Sequence, residues 1–137
     1  DINALLTAYP LDHLLSYLSW KNQLETRKSY VAARHLAFLF PKTPAGQSGF
    51  LFLARAAYKN GYKTLAWKYL QNIQEELLDS TKQLDLIEAK AGILMDLGQT
   101  QESLKTYTLL LSKAPKRLPA EKRLKLALLA QQSNKWE

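Results

Sequence analysis

The sequence contains no cysteine, and this absence excludes several kinds of chemistry. A chain without cysteine has no disulfide, no thiol nucleophile and no cysteine–zinc site. Cysteine-poor chains occur in bacterial cytoplasm and periplasm alike, so the compartment stays open, with a slight preference for the periplasm. No apolar run approaches the ~20 residues of a membrane span, and no signal-peptide pattern is present. We therefore expect no membrane span in this chain.

Groups that could perform catalysis are equally scarce. The two histidines, His13 and His35, fall on different predicted helices, where packing or surface positions are the simplest interpretation. The adjacent carboxylates Glu75 and Glu76 are interpreted as a solvated acidic helix end rather than an acid–base pair. The glycines lack phosphate-loop spacing, and the later acidic residues do not match a calcium loop. We expect no enzymatic activity, no cofactor and no metal site.

Acidic residues are absent from one long stretch. Between Thr26 and Gln74 there is no aspartate or glutamate, although the chain as a whole carries a net charge of +7. Charge segregated in this way produces a field that can steer a partner of opposite sign. We expect a protein or peptide partner of acidic character. The basic residues of the stretch are Arg27, Lys28, Arg34, Lys42, Arg55, Lys59, Lys63 and Lys68.

Glycine and proline number only five each, and they separate segments of helical apolar periodicity. No convincing strand alternation or β-hairpin signal is present. The pattern predicts an all-α fold of about seven helices, with a turn-like linker over 41–49 and Ser80 as the N-cap of the helix that contains 84–97. Position 1 is not methionine, from which we expect a fragment of a longer protein. The predicted helices are 11–26, 30–40, 50–59, 63–78, 84–97, 100–113 and a final helix after Pro119, with a short one possible within 1–9.

The clearest pattern is a helical hairpin over 87–115. Gly98 lies where the first helix can end in a left-handed residue, and Pro115 stops the second. Such a hairpin cannot bury both apolar faces alone, so it requires similar neighbours. Its predicted inward residues are Leu84, Ile87, Ala91, Leu94 and Leu97 on the first helix, and Ser103, Leu104, Tyr107, Leu110 and Leu111 on the second.

The hairpin recurs along the chain when the turn residues are aligned. Lys28, Gly61, Gly98 and Asn134 are separated by 33, 37 and 36 positions. Small residues at matching positions would let paired helices approach closely. Five positions after the turn they are Ala33, Ala66 and Ser103, and seven before it they are Ala54, Ala91 and Ala127, with Lys21 as the misfit.

These residues resemble the pattern of the tetratricopeptide repeat (TPR) family, whose unit has about 34 residues. Ala91, Gly98, Ser103, Tyr107 and Pro115 fit the family pattern well. The resemblance implies a single domain over 1–137, built as a right-handed α-solenoid of antiparallel helix pairs. Its units would span 11–44, 45–80, 81–115 and, in part, 119–137. The final helix would carry Leu124, Ala127, Leu128 and Ala130 inward.

The resemblance also implies a function, namely a scaffold or adaptor that binds a peptide or protein segment in a concave groove. In this family the first helix of each pair lines the groove, and its non-packing positions here are Asn22, Leu51, Arg55, Tyr58, Lys59, Glu88, Gly92 and Met95. The favoured binding residues among them are Arg55, Tyr58 and Lys59, followed by Asn22 and Met95. Arg55, Tyr58 and Lys59 share one helical face by their spacing. A solvated basic face is an equally weighted interpretation of these three. The chaperone-clamp pattern of the family is absent, because Leu18 replaces its lysine.

Two other functions remain open from the sequence. One is a module of a bacterial envelope or export protein that binds a polysaccharide or another anionic polymer. The other is self-association through an open end of the solenoid, which would give a homo-oligomer. Nucleic acid is a weaker hypothesis, because Trp67 and Tyr69 in the basic, aromatic stretch point to different sides of a helix.

Overall fold

Residues 11–135 are the part of the chain that the computed structural model describes, and they form seven α-helices and no strand. The prediction of an all-α fold is confirmed for this part. The predicted helix within 1–9 lies outside the described residues, as does Trp136. The helices are α1 (Leu11–Arg27), α2 (Tyr30–Leu39), α3 (Pro44–Lys59), α4 (Lys63–Gln71), α5 (Ser80–Asp96), α6 (Thr100–Lys113) and α7 (Ala120–Lys135), with 3-10 turns at Glu75–Leu77 and Pro115–Arg117.

Packing follows the order of the helices along the chain. Each helix contacts the next one, and α3 also contacts α5 directly. The buried apolar residues form four clusters that succeed one another from α1 to α7 rather than one central core. Among the described helices, none has the length and apolar character needed to cross a membrane.

The helix α3 begins six residues earlier than predicted. The expected linker over 41–49 is therefore wrong for 44–49, which are helical, and only its residues 41–43 lie between α2 and α3. Thr43 is the N-cap, and its hydroxyl accepts a hydrogen bond from the Gly46 N–H at 3.0 Å. The same hydroxyl donates to the Phe40 carbonyl at 2.7 Å. Pro44 occupies the start of the helix, where its missing N–H costs nothing. The proline and glycines therefore belong to a helix start and not to a loop.

The helix α4 ends at Gln71, whereas the prediction continued it to residue 78. The buried side chain of Gln47 fixes the position of the segment after α4 by a hydrogen bond. Its Nε2 donates to the Pro41 carbonyl at 2.6 Å, and its Oε1 accepts from the Gln74 N–H. Glu75 and Glu76 consequently lie in a 3-10 turn instead of at the end of a long helix.

The central hairpin is confirmed, with one correction at its start. Asp79 is the N-cap of α5, since its Oδ1 accepts from the Lys82 N–H at 2.8 Å, and the predicted cap Ser80 is the first helical residue. Ser103 is fully buried against α5 and donates to the Ala91 carbonyl at 2.6 Å. The fully buried Ile93 was not predicted. It packs towards α3 and α4, so α5 buries two faces.

The first three aligned turns share one backbone conformation. Gly61 and Gly98 have φ of 87° and 82°, and Lys28 has φ of 50°, the one positive φ at a non-glycine among the described residues. The small residues five positions later are fully buried in all three cases. The fourth turn was predicted at Asn134, and there the alignment fails because α7 continues through Lys135.

The predicted register of α7 is wrong. Leu126 is buried against α5 and α6, whereas Leu124 and Leu128 are 63% and 50% exposed, and Ala127 is exposed too. Apolar residues lie on more than one side of α7, and the described chain covers only the side that faces α6. The periodicity alone could not indicate which side that would be.

Candidate functional site

A groove of about 900 Å³ lies along α1, α3 and α5 and extends to the 3-10 turn after α4. Alternate helices of the chain supply most of its wall, and the direct contact of α3 with α5 brings two of them side by side. The groove therefore has a mainly helical lining and an apolar floor. The larger floor residues are Leu24, Leu51, Phe52, Leu77 and Leu78.

Basic side chains outnumber acidic ones along this groove. Lysine and arginine contribute five cations, and the carboxylates are Glu25, Asp79 and Asp85. Two of these carboxylates have partners, because Asp79 caps α5 and Asp85 binds Arg117 and, more loosely, Arg55. An anion in the groove would consequently meet mainly positive charge. The cations are Lys21, Lys28, Arg55, Lys59 and Lys82.

The structure brings two of the five predicted site residues to the groove. Arg55 and Lys59 line it, and the Arg55 side chain is 62% exposed. Asn22 is exposed on α1 but does not line the groove. Met95 is half-buried and packs against the cluster of apolar residues shared by α5, α6 and α7.

Tyr58 is also absent from the groove lining, so the prediction that it acts together with Arg55 and Lys59 on one face is not supported by the geometry. Its hydroxyl donates to Asp96 Oδ2 at 2.5 Å and lies 3.3 Å from the Gly92 carbonyl oxygen. These contacts join α3 to α5. Burial raises the pKa of Tyr58 to about 12, and the hydrogen bond to Asp96 adds to the shift.

The raised pKa of Tyr58 predicts a loss of stability in alkali. Between pH 10 and about 12 the unfolded chain releases the phenolic proton while the folded protein retains it, so the free energy of unfolding falls as pH rises. Urea unfolding across this range should show a steeper fall for the wild type than for Tyr58→Phe, which has no proton to release. Parallel curves for the two proteins would contradict the assignment.

The sequence interpretation named Glu88 as a groove position but missed its pairing, together with Asp85, with Arg117. Arg117 Nη1 lies 2.6 Å from Asp85 Oδ1 and 3.2 Å from Glu88 Oε2, and Nη2 lies 3.3 Å from the Thr81 carbonyl. The hydrogen bond to Asp85 raises the pKa of Arg117, against the opposing effect of burial. The spacing of Asp85 and Glu88 indicated a shared helical face, but nothing in the sequence paired that face with Arg117.

Of the remaining titratable and aromatic candidates, His35 and Trp67 pack against other side chains, whereas His13 is exposed. His35 stacks on Trp20, with ring centroids 4.3 Å apart and planes inclined by 14°, and His13 is exposed on α1. Trp67 packs against the apolar cluster of α3, α4 and α5. Within residues 11–135, no group of three or more histidine, aspartate or glutamate side chains is arranged to hold a metal ion.

Comparison with known proteins adds no family to this description. No protein-family model, curated protein or solved structure matches the sequence.

Proposed function

We propose that this chain is a non-enzymatic, TPR-like helical-repeat module that binds a peptide or protein segment in the groove along α1, α3 and α5. The groove itself is the observation that supports this proposal. Its helices are the first members of successive pairs, as a right-handed α-solenoid of paired helices would place them. The matching left-handed turns at Lys28, Gly61 and Gly98 support the same arrangement.

The composition of the groove favours a peptide or protein segment as the ligand. Its floor offers apolar contact area to side chains such as leucine, and burial of that area would supply most of the affinity. Its cations lie around this floor, where they would fix the orientation of the ligand and accelerate the encounter.

A charge-reversal variant tests the groove. Peptides selected from a phage-displayed random library against the wild type would be measured by fluorescence anisotropy with Arg55→Glu/Lys59→Glu. We expect this variant to weaken binding by at least about tenfold at low salt, because two cations of the groove become like charges for the ligand.

The matched control for that experiment is Lys63→Glu/Lys68→Glu on α4. Both lysines lie outside the groove, beside a separate shallow depression, and the control changes the net charge by the same amount. We expect the control to bind nearly as tightly as the wild type. Equal losses in the two variants would show that net charge, and not the groove, determines binding.

The excess of cations also supports a second candidate, in which the groove binds an anionic polymer or polysaccharide. Dextran sulfate is a suitable probe. A polyelectrolyte releases counterions on binding, so the logarithm of its affinity should fall steeply and linearly with the logarithm of salt concentration. A selected peptide held by the apolar floor should show a much shallower dependence.

Self-association is a third candidate, and the exposed leucines of α7 favour it. Leu124 and Leu128 are half or more exposed on a terminal helix of the described chain. Contact with a second copy would cover them. Light scattering over a range of concentrations would reveal a mass that rises with concentration, and the rise should be absent in Leu124→Lys/Leu128→Lys.

A further inference from the structure

We infer that Arg117, which lies outside the groove, gives the groove its preference for acidic segments by binding Asp85, so that Asp85 makes only a loose ion pair with Arg55. This inference rests on the proposed function, because it concerns the ligand of the same groove. Arg117 would be a positioning residue. It would not touch the ligand, but it would determine which partner the Arg55 guanidinium has.

Asp85 lies between two arginines at unequal distances. Its Oδ1 is 2.6 Å from Arg117 Nη1, a short charge-assisted hydrogen bond. Its Oδ2 is 3.9 Å from Arg55 Nη1, a loose ion pair that is beyond hydrogen-bonding distance. The Asp85 side chain is only 23% exposed, whereas that of Arg55 is 62% exposed. Asp85 is therefore bound to Arg117, and the Arg55 guanidinium faces the groove with donors available to a ligand.

Arg117 is held in place by the chain on both sides of it. It ends the 3-10 turn Pro115–Arg117, and its N–H donates to the Ala114 carbonyl at 3.1 Å. The next residue, Leu118, is 2% exposed and is anchored among the apolar residues of α5, α6 and α7. The guanidinium also reaches Glu88 and the Thr81 carbonyl, so three groups on or beside one face of α5 fix its position.

Removal of Arg117 would change the charges that a ligand meets. Asp85 and Glu88 would lose their shared cation, and Arg55 is the next arginine within reach of Asp85. The ion pair between Arg55 and Asp85, which is loose while Arg117 binds Asp85, would then tighten and compete with any carboxylate of the ligand. An acidic ligand would be affected by this competition, whereas a neutral ligand of the same shape would not. Charge complementarity thus identifies the favoured partner as a segment that combines carboxylates with apolar side chains.

Two short synthetic peptides provide the test. One contains leucine, alanine and glutamate, and the other contains glutamine in place of every glutamate. Anisotropy at low salt would give the affinities of both for the wild type, Arg117→Gln, Arg117→Lys and the triple variant Arg117→Gln/Asp85→Asn/Glu88→Gln. We expect Arg117→Gln to weaken binding of the acidic peptide by about fivefold and to leave the neutral peptide nearly unchanged.

Rescue separates this role from a merely structural one. The triple variant should restore the affinity for the acidic peptide, because the carboxylates that compete for Arg55 are gone. Arg117→Lys should retain most of the affinity, because it keeps the charge next to Asp85. Thermal unfolding followed by circular dichroism would verify that each variant is folded at the temperature of the assay. Equal weakening of both peptides by Arg117→Gln, or no rescue in the triple variant, would overturn the inference.

The outcomes also distinguish this inference from the proposed function. If Arg117→Gln has no effect while Arg55→Glu/Lys59→Glu abolishes binding of the acidic peptide, the inference fails and the groove assignment stands. If neither peptide binds the wild type at millimolar concentration, both are overturned. If the acidic peptide binds equally well to the Arg55→Glu/Lys59→Glu variant, the site lies elsewhere and the role of Arg117 is excluded with it.

Discussion

Replacement of Gly46 with alanine is expected to destabilise the protein by at least about 3 kcal/mol, because the new methyl group has no space. A Cβ atom at this position would lie 1.8 Å from the Phe40 carbonyl oxygen and 3.0 Å from that of Leu36. Both are backbone atoms at the end of α2, so relief requires α2 and α3 to move apart. Their separation would also disturb the apolar clusters that the two helices share.

Gly92→Ala is the matched control, since it makes the same change inside another helix. There the nearest atom to the added Cβ is the Tyr58 hydroxyl oxygen at 3.4 Å, an ordinary contact. Alanine favours the helix over glycine by up to about 1 kcal/mol, so the control should be neutral or slightly stabilising. Urea unfolding followed by circular dichroism measures both variants. Similar stabilities for the two would show that α2 and α3 do not approach closely at Gly46.

This close approach explains why the sequence was interpreted wrongly over 41–49. Prolines and glycines within a short stretch are typical of a loop, and the prediction followed that rule. Gly46 and Gly49 instead serve the contact between helices, since a Cβ at Gly49 would lie 2.6 Å from the Ala33 carbonyl oxygen. Sequence periodicity indicates which residues prefer a helix. It carries no information on a glycine that is needed because another backbone lies beside it.

The inward side of a helix could be predicted where its apolar residues lie on the side that packs against neighbouring helices. In α6 the predicted inward residues Ser103, Tyr107 and Leu110 are buried, and the bounds of that helix are correct. In α1 the helical spacing of the leucines does not identify the inward side, because Leu14 is buried whereas Leu15 and Leu18 are 61% and 49% exposed. The first and last of the described helices have a described neighbour on one side only, so a leucine there does not reveal where the core lies.

The site could be predicted only in part, for a related reason. The alignment with the TPR pattern led to Arg55 and Lys59, which lie within the stretch without acidic residues, and both line the groove. Tyr58 lies three residues after Arg55 on the same helix, but α5 packs beside it and its hydroxyl donates a hydrogen bond to Asp96 of α5. Arg117 comes from a 3-10 turn far along the chain, and its pairing with α5 depends on how the helices pack. Local spacing shows which residues share a helical face, whereas the packing of the helices determines which residues that face contacts.

Leu110→Ala is expected to cost about 2–5 kcal/mol of stability. Leu110 is fully buried on α6, in the apolar cluster that also contains Ile87, Ala91 and Tyr107. Its neighbour Leu109 is 45% exposed, so Leu109→Ala removes the same atoms from the same helix at a cost of about 0.5 kcal/mol or less. Urea unfolding of the two variants gives both values. Equal costs would contradict the orientation of α6.

The loss in Leu110→Ala should also be local, because the core is divided along the chain. The cluster around Leu110 draws on α5, α6 and α7 and on Leu118, whereas the clusters around Leu36 and Leu53 belong to α1, α2 and α3. In such a chain, stability is approximately a sum of neighbouring contacts. Hydrogen exchange should therefore quicken in α6 and α7 while α2 and α3 keep their protection. Uniform acceleration along the described chain would instead show that the helices unfold as one cooperative unit.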